Sequence, residues 1–240
     1  MPNEGPVQGV PRGTRRQPEA SRDAILQAAL AEFAQEGLAG ARMDAIAAAA
    51  GVNKALLYYY FHDKESLYGA LLGDLFRRLK ERVVRALDAP GSAGERLLSY
   101  VRAHFDTVAE SLHYARLFQG ELMSAGRGGS PHLTRIVEEY IRPISARVLG
   151  VLQEGIEGGE FRPVDIVQFV PSMVAVVVYY FVTAPVVRRL RTDDPFSPQA
   201  IQNRRAAVLD FIAAGLFANQ GAGVKLAAAV ANREEHEGSL

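Results

Sequence analysis

Three features of the chain predict an all-α fold. Apolar residues recur at helical spacing from Ser21 onward, glycine- and proline-rich breaks separate the periodic stretches, and nothing alternates as a half-buried strand would. The stretches divide into about nine helices, a three-helix N-terminal unit followed by a larger helical unit. With 240 residues, 48% of them apolar, the chain suffices for a sizeable core and is not generally disordered.

Residues 1–20 are rich in Gly, Pro, Gln and Arg without periodicity and read as a flexible arm containing Arg12, Arg15 and Arg16. Ile25, Leu26, Ala29, Leu30 and Phe33 then follow helical spacing, with Ser21 as the expected N-cap and Gly37 as the stop. A short alanine-rich helix covers 43–50, Gly51 interrupts it, and a third helix runs over 53–60. Asp63 caps a long fourth helix that reaches Leu87. Further helices are expected near 94–110, 112–125, 131–156, 165–190 and 198–219, with Asp165 and Ser197 as caps and Pro198 in a first turn. From Gly221 the alanine-rich, then charged tail is expected to fray.

Composition removes several classes of function. Formal net charge is zero, so any binding to nucleic acid must come from a local patch. The absence of cysteine excludes disulfides, thiolate metal sites and cysteine nucleophiles, and suits a reducing cytosol. The first ten residues hold no long apolar run, so no secretory signal is expected and a cytoplasmic location follows. The apolar window 166–187 is interrupted by Gln168, Pro171, Ser172, Thr183 and Pro185, and is read as a buried or interface helix rather than a membrane span. Histidines at 62, 104, 113, 132 and 236 form no H-x-x-x-H pair, and no Walker loop, G-x-S-x-G or G-x-G-x-x-G is present. No enzyme, cofactor or metal is expected.

Residues 43–62 fit a helix-turn-helix template. Ala47 is small where two helices must touch, Gly51 tolerates the turn, and Ile46, Ala50, Val52 and Leu57 close the inner faces. On a helix over 53–61, Leu57 and Phe61 face inward with Tyr60 at the edge, while Lys54, Ala55, Tyr58 and Tyr59 share the opposite side. A small, basic and aromatic face of this kind suits a DNA major groove, where rings meet thymine methyls and hydroxyls reach bases or phosphates. Tyr60 packs inward with its hydroxyl within reach of a phosphate. Lys64 lies in a first helical turn, where a cation is disfavoured unless an anion docks there.

The stretch GARMDAIAAAAGVNKALLYYYFHDKESLYGALL resembles the DNA-binding domain of the TetR family of transcriptional repressors, over about residues 21–72. The resemblance implies a DNA-binding domain at 21–68, a ligand-binding and dimerisation domain at 69–220, and a tail at 221–240. It also implies a homodimer on palindromic double-stranded operator DNA, with Lys54, Ala55, Tyr58 and Tyr59 in the groove and Tyr60, Lys64 and the start of the second helix on phosphates. Asn53 replaces the usual serine and still caps. Leu56 stands where a threonine often touches phosphate, and Arg42, in place of a threonine, is expected to supply a charged phosphate contact. The arginines of the arm either reach the neighbouring groove or form an ordinary basic tail.

The resemblance further implies that a small-molecule effector binds in the second half and releases the repressor. A regulator without such input (an activator, a nucleoid protein or a protein-controlled factor) stays open as the alternative. Large and small apolar residues mix over 206–218 and, with 166–187, suit a four-helix dimer seam. Effector-binding candidates are His104, Phe105, His113, Tyr114, Phe118, Glu121, Tyr179 and Tyr180. RLFQGELM and LTRIVEEYIRPI are similar to regulatory domains of one subgroup that includes a uracil-sensing regulator, but the chain has no tryptophan and that ligand is not carried over.

Overall fold

The computed structural model describes residues 18–110, 112–126 and 130–233. Among them the secondary structure is helical: α1 (Pro18–Gly40), α2 (Met43–Ala49), α3 (Lys54–Tyr60), α4 (Lys64–Leu87), α5 (Ala93–Ala109), α6 (Leu112–Ala125), α7 (Pro131–Ile136), a π-turn (Val137–Ile141), α8 (Arg142–Glu157), α9 (Ile166–Val182), α10 (Ala184–Leu190), α11 (Pro198–Leu216) and α12 (Gln220–Ala231). The arm's Arg12, Arg15 and Arg16 lie outside the described residues.

Local chemistry explains most boundaries. Gly37 takes φ +69, a left-handed conformation that costs glycine little, and the helical path of α1 breaks there. Asn53 accepts the Leu56 N–H at 2.7 Å, and Asp63 and Ser66 form a reciprocal capping box at the start of α4. Asp165 and Ser197 cap α9 and α11 as expected. Ser21 does not cap: α1 begins at Pro18, and Ser21 is buried inside its first turns.

Two expected long helices are each interrupted, and proline explains both. Pro143 has no N–H to give the Glu139 carbonyl, so the chain widens into a π-turn, where the Arg142 N–H reaches the Val137 carbonyl. The freed Glu139 carbonyl accepts from Lys80 Nζ at 3.0 Å. Pro185 starts α10, which bends 66° away from α9. Among the described residues no single helix is long and apolar enough to cross a membrane, although the bent α9–α10 pair passes that test jointly.

The tail expected to fray is in part helix α12. Asn219 caps it by accepting the Ala222 N–H at 3.1 Å, and Gly223, Ala227, Val230 and Ala231 are buried against its neighbours. A Cβ at Gly223 would lie 2.6 Å from the Phe217 ring, so only glycine permits this approach.

Helix α5 runs through the centre, with Leu97, Leu98, Val101, Phe105 and Val108 fully buried, and α4, α8, α9, α11 and α12 pack around it. Helix α4 joins the halves. Its Tyr68 meets Phe33 of α1 edge-on at 4.9 Å, and Leu67, Leu71 and Leu72 continue the same apolar face.

Candidate nucleic-acid interface and effector site

The α2–α3 unit is built as the sequence predicts. Gly51 adopts φ +64, its N–H reaches the Ala48 carbonyl at 3.1 Å, and the Val52 N–H reaches Ala47 at 3.0 Å. Buried Ile46, Ala47, Ala50, Leu57 and Phe61 lock the two helices onto α1 and α4. Anchoring Leu57, 1% exposed, forces the opposite side of α3 outward. Tyr58 is 44% exposed, Tyr59 is 78% exposed, and Lys54 and Ala55 share that surface.

Lys54 pairs with Asp44 of α2 at 2.7 Å, a partner the sequence reading missed. Both ends of this pair are largely exposed, so it holds the ammonium weakly and leaves it free to turn to another anion. Tyr60 is half-buried and stacks edge-on against Tyr59 at 5.4 Å, which stiffens the exposed ring. Arg42 is exposed at the N-cap of α2, where its backbone N–H donates to Glu32.

Lys64 differs from expectation. Its ammonium donates to the Ala39 carbonyl at 2.7 Å and the Ala41 carbonyl at 3.1 Å, and its side chain is half-buried. It ties the start of α4 to the α1–α2 connection, which explains a cation in a first helical turn without an anion. The signal lay more than twenty residues away, in two carbonyls that no local motif announces.

The expected effector residues fall into distinct places. Tyr114, Phe118 and Tyr140 surround Phe76, with ring centroids 5.2, 5.5 and 6.1 Å from it. Tyr100 and His104 lie one turn apart on α5, their rings 5.9 Å apart. Burial lowers the His104 pKa to about 4 and raises that of Tyr100 to about 12. Tyr114 is pushed up by burial and, secondarily, by the nearby Tyr100 phenol. His113 instead lines a cleft of about 580 Å³ with Leu26, Leu30, Leu71, Arg78 and Tyr114, between α1, α4 and α6.

Glu121 is buried and accepts from Tyr68 Oη at 2.8 Å and from the Ser130 hydroxyl. Phe105 is an interior residue that packs on Phe181 at 5.2 Å. Tyr180 donates its hydroxyl to the Pro195 carbonyl at 2.8 Å. Tyr179, expected to point inward, is 67% exposed on the outer side of α9, because Val177 and Phe181 take the inner positions. Phe76, Tyr100 and Tyr140, the rings on which Tyr114, Phe118 and His104 pack, are not among the sequence candidates, because helical phase alone does not tell which interior rings meet. Among the described residues no group of three or more His, Cys, Asp or Glu is placed to hold a metal.

A short helix fixed from behind and open to solvent in front, followed by a helical body, is the arrangement of a helix-turn-helix regulator. Residues 25–71 match the family model described as bacterial regulatory proteins, tetR family, and residues 94–212 match the Tetracyclin repressor-like, C-terminal domain. The HTH-type transcriptional repressor SCO4008 of Streptomyces coelicolor is 37% identical over 131 residues, which span 55% of this chain and 65% of the relative. The HTH-type transcriptional regulator RutR of Escherichia coli K12 is 29% identical over 199 residues, 80% of this chain and 91% of RutR. The solved structure of the ketosteroid transcriptional regulator KstR2 of Mycobacterium tuberculosis shares the fold, with a TM-score of 0.67, 24% identity, and coverage of 82% of this chain and 94% of that one. The chain belongs to the TetR family: it is a DNA-binding transcriptional regulator, not an enzyme.

Proposed function

We propose that this regulator works in the cytoplasm as a homodimeric repressor that holds a palindromic operator and is released by a small-molecule effector. The observation that carries the reading is the outward face of α3, where Lys54, Ala55, Tyr58 and Tyr59 stand open to solvent while Leu57 anchors the helix. These four side chains read base edges. Asn53 at the helix cap, Arg42 and the Tyr60 hydroxyl position the phosphate backbone. Lys64 contributes by fixing the end of α4, with one of its three N–H groups left for a phosphate.

A second protomer supplies the missing half-site. Exposed apolar side chains run along α9 (Val167, Ala175, Tyr179) and α11 (Ala207, Phe211), and Phe211 is 65% exposed. Two such helices from each protomer make a four-helix seam that covers these faces. The name of the Streptomyces relative supports repression.

The effector binds between α4, α5, α6 and α8. From there a chain of hydrogen bonds, joined by one ring contact, runs to the DNA-binding end. Glu121 of α6 holds Tyr68 of α4 and Ser130, the ring of His132 on α7 meets Tyr68 edge-on at 5.3 Å, and His132 Nε2 lies 2.7 Å from Glu65 in the first turn of α4. A ligand that shifts α6 thereby moves the helix end that Lys64 ties to α1 and α2, and changes the separation of the two α3 helices. Half-sites are read about 34–36 Å apart or at multiples of that distance, so a small swing abolishes the fit. To do this the ligand must bind the two states with different affinity.

Selection of bound sequences from a random duplex pool tests the reading. A palindromic consensus is expected, with half-sites one or two helical turns apart. A single asymmetric site, or no enriched sequence, would contradict it.

A further inference from the structure

Among the described residues, four buried arginine Nε atoms have no hydrogen-bond partner: those of Arg96, Arg102, Arg204 and Arg205. Buried polar groups are ordinarily paired, and each one left unpaired costs stability. Two of these side chains are engaged in other ways, since Glu154 binds the guanidinium of Arg96 and Arg204 lies over the Tyr180 ring at 5.1 Å. The other two, Arg102 and Arg205, line one cleft of about 610 Å³ between α5, α11 and the end of α12.

Helical spacing brings these groups together. Arg102, Asp106 and Ala109 repeat along one side of α5, and Ile201 and Arg205 stand one turn apart on α11. Asp106 accepts from Arg205 Nη1 at 3.0 Å and lies 3.4 Å from Arg102 Nε, too poorly aligned for a hydrogen bond. The side chains of Arg102 and Asp106 are each 13% exposed and that of Arg205 is 20% exposed. One carboxylate therefore faces two guanidiniums in a largely buried place. The remaining charges at the rim have partners of their own: Arg82 binds Glu110 at 2.5 Å, and Arg233 lies 3.3 Å from Glu95. An excess positive charge is left, which is costly out of water unless an anion meets it. The side chain of Arg102 makes no hydrogen bond to the described residues, so its terminal nitrogens still have donors to give.

We propose that this cleft is a second ligand site and takes a small organic anion, whose carboxylate or phosphate oxygens accept from the guanidiniums of Arg102 and Arg205. A planar guanidinium matches the paired oxygens of either head group. The apolar part of the ligand lies against Ala109, Ile201 and Ala231, and exposed Gln202 and Asn232 offer amide donors at the rim. The site shares only α5 with the effector region between α4, α5, α6 and α8, and does not depend on it.

Thermal shift on the full chain at constant ionic strength tests it, with probes that share a phenyl ring: phenylphosphate, benzoate, benzyl alcohol and benzylammonium. At least one of the two anions is expected to raise the melting temperature, and the stronger of them identifies the head group. The alcohol and the ammonium should leave it unchanged. Arg102→Gln should weaken binding of the stronger anion about tenfold, by loss of a charge-assisted hydrogen bond. Gln202→Glu, a change at an exposed position that folding tolerates, should weaken it to a similar degree by placing a like charge at the rim. Arg42→Ala, on the DNA-binding face, should not affect it. No shift with either anion, an equal shift with the alcohol or the ammonium, or undiminished binding in Gln202→Glu overturns the proposal. A shift lost in Arg42→Ala places the anion on the DNA-binding face and overturns it as well. So does stabilisation that appears only when Glu234, Glu235 and Glu237, which follow Arg233 in the sequence, are changed to glutamine, because the chain's own carboxylates then take the place of a ligand.

Discussion

Lys54 and Lys64 stand ten residues apart, and the structure gives them different work. Lys54 is held by one exposed carboxylate and projects from α3, whereas Lys64 is fastened to two backbone carbonyls. Lys64→Ala should therefore cost stability as well as DNA affinity, about 1 to 2 kcal/mol for the lost charge-assisted bonds, read from urea melts. Arg42→Ala should leave the melt unchanged, weaken binding to all sequences together, and lower the slope of log K against log salt by about one. His104 makes a pH prediction. It is neutral in both folded and unfolded chains above its ordinary value of 6.5. Below that, the unfolded chain takes up a proton that the folded chain refuses until about pH 4, so stability falls across this window as pH falls. The loss reaches about 3 kcal/mol at the acid end, and His104→Phe should flatten that part of the stability–pH curve.

The turn between α2 and α3 depends on Gly51, whose φ of +64 an L-side chain adopts only with strain. Gly51→Ala should destabilise the protein by about 1 to 2 kcal/mol in a denaturant melt and reduce operator affinity by loosening α3. Here sequence and structure agree, because every constraint on the motif is local: a small residue, a turn glycine, an inward leucine and an Asn cap lie within about three helical turns. Caps at Asp63, Asp165 and Ser197 were legible for the same reason. The interruptions at Pro143 and Pro185 had a visible signal, a missing N–H inside an otherwise periodic stretch. Helix α12 did not, since its alanines and glycines become a buried face only once Phe217 and α11 are in place. The effector candidates were the least legible. Aromatic side chains at helical spacing look alike in sequence, and only tertiary packing sent Phe105 into the interior, Tyr179 to the surface and Tyr114 toward Phe76.

At the scale of the whole molecule, one protomer leaves apolar side chains of α9 and α11 in water and presents a single recognition helix. Both features point to a two-fold assembly. Phe211→Asp should convert the dimer to a monomer in sedimentation velocity and sharply reduce operator affinity while α3 keeps its own geometry. The central claim, that the outer face of α3 reads DNA sequence, is tested most directly by repeating the random-duplex selection with Lys54→Ala and Tyr58→Phe beside the wild type. The account predicts that each variant changes base preference at the same positions in both half-sites, with their spacing preserved. Wild-type preferences at every position in both variants would contradict it.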